Sequence, residues 1–90
     1  MSINVLIVED EKKLASLLAD YFTQAQFSNH CIHHGNEVID WVKKHPVELI
    51  LLDVMLPGKD GMQLCKELRQ FSNVPIIMLT ARVEEIDRLL

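Results

Sequence analysis

Three short runs of apolar, mostly branched residues dominate this chain: Asn4 to Val8 (NVLIV), Leu49 to Leu52 (LILL) and Val74 to Leu79 (VPIIML). Runs with no polar alternation suit strands buried on both faces, which is the environment of a parallel sheet. Each run stops abruptly at a polar group. Glu9 and Asp10 follow the first, Asp53 the second and Thr80 the third. Between the runs the apolar spacing changes to that of one helix face. Leu14, Leu17, Leu18, Tyr21, Phe22 and Ala25 mark a first helix, and Val38, Ile39 and Val42 a second that Gly35 opens and Pro46 ends. Leu64, Leu68 and Phe71 mark a third, and Val83, Ile86 and Leu90 the start of a fourth, within which the sequence stops. Phe27 to His33 mixes polar and apolar residues, as an edge strand does. Strands alternating with one-sided helices predict a doubly wound α/β fold around a parallel sheet.

At 90 residues the sequence is read as one domain. Its composition, 49% hydrophobic and 24% charged, is that of a globular protein. The net charge of -4 argues against direct binding to nucleic acid, which rewards a basic surface. No apolar run is long enough to cross a bilayer and no signal-peptide pattern follows Met1, so the cytoplasm is the expected location. Cys31 and Cys65 form no CxxC pair, and in that compartment a disulfide is not expected.

In doubly wound folds ligands bind beyond the carboxyl ends of the strands. The predicted topology therefore gathers Glu9, Asp10, Asp53 and Thr80 on one rim. Carboxylates crowded together repel unless a cation joins them. Magnesium is the expected ion, because it takes oxygen ligands, keeps several waters and commonly shares its shell with phosphoryl oxygens. A carboxylate beside such an ion can accept a phosphoryl group and become an aspartyl phosphate.

Taken singly, these residues have plainer readings: Glu9 and Asp10 as an acidic first turn, Asp53 as a turn residue and Thr80 as a helix cap. Their joint arrival at three strand ends is what favours a site. The blocks VLIVEDE, LILLDVMLPGKDG and PIIMLTAR resemble the signature blocks of response-regulator receiver domains, and MLPGKDG with TARVEEIDRLL is similar to the OmpR/PhoB subfamily. The resemblance implies a flavodoxin-like sheet of order 2-1-3-4. It makes Asp53 the phosphoacceptor, Glu9 and Asp10 the acidic metal pair, Met55 a donor of its main-chain carbonyl to Mg2+, and Thr80 the switch hydroxyl. Pro57 and Gly61 shape the loop after the acceptor.

The resemblance further implies two-component signalling, with a sensor histidine kinase as phosphoryl donor and transcription as output through a C-terminal DNA-binding domain. The family has five strands and five helices, so residues 1–90 are expected to be a receiver lacking its fifth strand, with the lysine and aromatic residue carried there. An apolar fourth strand left unpaired would favour a homodimer or a swapped oligomer. A truncated receiver acting only as an interaction module is the alternative. A phosphatase of the haloacid-dehalogenase type is disfavoured because Met55 stands where that family has a second acid, and a dinucleotide-binding domain because no glycine-rich loop follows the first run. His30, His33 and His34 around Cys31 fit no recurrent zinc spacing and read as a solvated edge. Trp41 and Cys65 read as core.

Overall fold

A computed structural model describes residues 3–79. Eight elements follow in order: β1 (Asn4–Val8), α1 (Lys12–Gln24), β2 (Ser28–Ile32), a 3-10 turn (Gly35–Glu37), α2 (Val38–Lys44), β3 (Leu49–Asp53), α3 (Gly61–Arg69) and β4 (Ile76–Leu79). The strands form one parallel sheet of order β2-β1-β3-β4. The expected 2-1-3-4 order is therefore present. The chain leaves β1 toward one side of the sheet and returns to the other, which places the reversal of strand order between β1 and β3.

Successive strand residues face opposite ways, and the apolar runs feed both faces. Val5, Ile7 and Leu51 meet Ala15, Leu18 and Phe22 of α1 on one side. Leu6, Val8, Ile50 and Leu52 meet Val38 of α2 and Leu64 and Leu68 of α3 on the other. Leu6, Ile7, Val8, Ile50, Leu52, Leu64 and Leu68 are fully buried.

The end of α1 is fixed by local chemistry. Gln26 adopts φ 69°, the left-handed conformation that closes a helix. Its N–H donates to the Thr23 carbonyl at 3.0 Å, and the Phe27 N–H donates to the Phe22 carbonyl at 2.8 Å. The Phe22 and Phe27 rings stack at 5.9 Å, supplying the apolar contact that accompanies this type of helix stop.

Some sequence expectations shift. Leu17 and Tyr21 are 55% and 68% exposed, because the inward face of α1 is centred on Ala15, Leu18, Ala19 and Phe22. Ala15 is buried against Val5, Ile7 and Leu51. Phe71 lies beyond α3 and is 43% exposed, with Lys43 Nζ 5.2 Å from its ring centroid. Trp41 is only partly buried. Its indole stacks on His30 and on His45, each at 3.6 Å between centroids, and two nearly parallel rings that close must occupy opposite faces. Burial, reinforced by His45, holds the His30 imidazole below its usual range. Cys65 is half-buried against the core as expected. The fourth helix and Thr80 lie outside the described residues. Among the described residues no helix is long and apolar enough to cross a membrane.

Candidate functional site

The β1–β3 reversal carries the acidic groups. Glu9 follows the last residue of β1, and Asp53 is the last residue of β3. Because Val8 pairs with Leu52, the next residues on each strand, Glu9 and Asp53, emerge side by side. Carboxylate oxygens of Glu9, Asp10 and Asp53 lie within 4.8 Å of one another. Glu9 and Asp53 are only 2% and 3% exposed, whereas Asp10 is open to solvent. The sequence named all three, and the structure brings them together.

Each buried carboxylate accepts a backbone N–H from the residue two further along the chain. Glu9 Oε2 accepts the Glu11 N–H at 3.0 Å, and Asp53 Oδ1 accepts the Met55 N–H at 3.0 Å. Glu9 Oε1 is buried with no hydrogen-bond partner. Burial pushes the Glu9 carboxyl up to about 7, with Asp53 and Asp10 adding to the effect and the Glu11 N–H opposing it. A buried carboxylate oxygen without a donor, facing two further carboxylates, is a geometry that a hard cation completes. The donor set fits a divalent ion taking oxygen ligands.

The loop after Asp53 is pinned at several points. The Val54 N–H donates to the Leu79 carbonyl and the Gly61 N–H to the Val54 carbonyl, both at 3.0 Å. At Gly61 a Cβ would stand 2.8 Å from Val54 Cα and closer still to the Asp53 carbonyl oxygen. Gly61→Ala is thus expected to displace the backbone that carries Asp53 and to cost about 1–3 kcal/mol, read by denaturant unfolding. An unchanged midpoint would show that the loop yields without strain. Gly58 sits at φ 80° beneath the His34 ring, and the Gly35 N–H donates to the Pro57 carbonyl at 3.1 Å. Asp60 caps α3 by accepting the Gln63 N–H at 2.8 Å. Lys59 is tied to Glu67 at 2.7 Å.

Met55 follows Asp53 closely, with its side chain 47% exposed. Thr80 lies outside the described residues, but Leu79, the residue before it in the chain, pairs with Asp53 in the β3–β4 register. His30, His33 and His34 are not a merely solvated edge: His30 stacks on Trp41, and His33 and His34 are partly buried, with His34 Nδ1 accepting the Asn36 N–H. Cys31 Sγ turns toward the Ala15 carbonyl, 3.8 Å away, and burial pushes its thiol up.

What sequence reasoning missed is His33. Its Nδ1 lies 2.8 Å from the Glu9 carbonyl oxygen. The only signal was positional: it follows β2 by one residue, as Glu9 follows β1.

A parallel sheet with the acidic cluster at the reversal between its first and third strands is the arrangement of response-regulator receivers, and the sequence matches the response regulator receiver domain family over residues 5–89. The chain belongs to that family. It is 56% identical over 86 residues to the transcriptional regulatory protein BaeR of Escherichia coli O6:H1, an alignment covering 96% of this chain and 36% of that protein. The chain thus spans little more than a third of that relative's length. Among solved structures it resembles the BeF3-activated N-terminal receiver domain of RstA from Klebsiella pneumoniae, with TM-score 0.86, 31% identity, and coverage of 96% of this chain and 74% of that one. It also resembles the response regulator TrrA from Thermotoga maritima in complex with Mg(2+)-BeF, with TM-score 0.84, 25% identity, and coverage of 97% and 76%.

Proposed function

We propose that residues 1–90 act as one receiver domain in which Asp53 accepts a phosphoryl group from a sensor histidine kinase. The observation that carries this reading is the buried pair Glu9 and Asp53, held with Asp10 within 4.8 Å at the strand-order reversal. In the transfer a carboxylate oxygen of Asp53 forms a bond to phosphorus, the bond from phosphorus to the donor imidazole nitrogen breaks, and the product is a mixed anhydride on Asp53. The Met55 N–H on Oδ1 orients the carboxylate for that attack.

Glu9, Asp10, Asp53 and the Met55 carbonyl are the residues that would hold Mg2+, the ion present in the TrrA complex. When bound, magnesium supplies positive charge opposite the phosphoryl oxygens. Thr80, next in the chain after the strand that pairs with Asp53, is assigned the hydroxyl that reads the modified state. The domain is a cytoplasmic switch rather than a metabolic enzyme, assisting its own modification by positioning the acceptor. The likeness to BaeR extends the proposal to transcriptional output, through a DNA-binding domain C-terminal to the receiver.

The test is incubation with magnesium and acetyl phosphate followed by intact mass. The wild type is expected to gain one phosphoryl group only when magnesium is present, and Asp53→Ala none. A label that persists in Asp53→Ala would assign the acceptor elsewhere and end this reading.

A further inference from the structure

The end of β1 is held from β2 by a side chain where the backbone ladder runs out. Val8 pairs with Ile32, so one further step sets His33 beside Glu9. In a parallel ladder a residue gives its N–H to the residue before its neighbour and receives one from the residue after it. The first bond is made: the Glu9 N–H donates to the Ile32 carbonyl at 3.0 Å. The second would need the His34 N–H, but the chain is already turning away there. His34 caps the 3-10 turn, its Nδ1 accepting the Asn36 N–H at 3.2 Å, and the next residue, Gly35, donates to Pro57. His33 Nδ1 fills the gap, 2.8 Å from the Glu9 carbonyl. A carbonyl only accepts, so Nδ1 carries the proton.

We infer that His33 is a positioning residue for the acidic pair, donating from Nδ1 to the Glu9 carbonyl and thereby fixing the peptide that joins Glu9 to Asp10. This rests on the reading of Glu9, Asp10 and Asp53 as a magnesium site. The peptide between two adjacent ligands sets the direction of the second relative to the first, and its carbonyl lies at a buried residue, where losing a partner is costly. The β2 end thus supports both halves of the site: His33 holds the Glu9 peptide, and Gly35 holds Pro57 in the loop after Asp53.

The experiment is a magnesium titration of the full chain, followed by the backbone amide signals of Asp10 and Val54, in the wild type, His33→Ala, His33→Asn and His33→Gln, with Asp53→Ala as the site control. The Asn amide nitrogen branches from Cγ as Nδ1 does, whereas in Gln it lies one bond further out. His33→Ala and His33→Gln are expected to bind magnesium roughly tenfold more weakly and His33→Asn close to wild type. Equal affinity in all four overturns the inference, as does His33→Asn binding as weakly as His33→Gln. If His33→Ala does not fold, the Asn and Gln pair decides the matter. Wild-type binding lost in Asp53→Ala but unaffected at position 33 overturns only the role of His33. No magnesium binding by the wild type overturns the site reading and this inference together.

Discussion

Magnesium affinity is expected to rise with pH up to about 7 and then to level off, a change of roughly fiftyfold between pH 5 and pH 7. The cause is Glu9, whose carboxyl is held near 7 by burial and by its acidic neighbours. Below that value the metal must displace a proton before it can be coordinated, and above it none is there to displace. Stability of the metal-free protein should run the other way. In the unfolded chain Glu9 titrates near 4.5, so between about 4.5 and 7 the folded state holds the extra proton. Its contribution is complete below 4.5 and is lost as pH rises through 7, at up to about 1.4 kcal/mol per pH unit inside the window. Saturating magnesium should offset that loss, since it binds the folded state alone. Glu9→Gln cannot titrate and should flatten both curves. A wild-type affinity that does not vary between pH 5 and 7 would show that Glu9 is already ionised in the metal-free protein.

Leu52→Ala is expected to cost about 2–5 kcal/mol. Leu52 is fully buried in the layer beneath α2 and α3, and it precedes Asp53 on β3. A domain of this size has on the order of 5–15 kcal/mol in total, so the variant gives up a large share. Its thermal midpoint should fall by roughly 10–30 °C. Leu17→Ala is the control, because Leu17 is 55% exposed and its truncation should change stability by no more than about 0.5 kcal/mol. Similar losses in the two variants would mean that the β3 layer is not the part of the core that holds the sheet together. A Leu52→Ala protein that folds should also bind magnesium less well, since Asp53 is carried by the strand that must relax around the cavity.

The helix faces show where periodicity stops being informative. From sequence, Leu17 and Tyr21 are as apolar as Leu18 and Phe22, and all four fit a helical spacing. Which of them turns inward depends on how α1 is rotated against β1 and β3, and the face centred on Ala15 is the one that meets the sheet. Phe71 had the right spacing for α3 but falls past its last turn. Trp41, read as core, packs against the α2–α3 layer while only partly buried, its indole stacked with the rings of His30 and His45.

The sequence alone determined the sheet and the chemistry of its rim. Unbroken apolar strands suit a place between two helical layers, which β1 and β3 occupy, and a carboxylate that follows such a strand lies at its carboxyl end. Glu9, Asp10 and Asp53 are legible in this way from the order of residues in the chain. Only the tertiary structure decided that Glu9 is buried with one oxygen unpaired, that its carboxyl therefore sits near 7, and that His33 closes the ladder at its carbonyl. Those properties depend on register and solvent exclusion between segments distant in the chain, and a linear pattern of residue types carries neither.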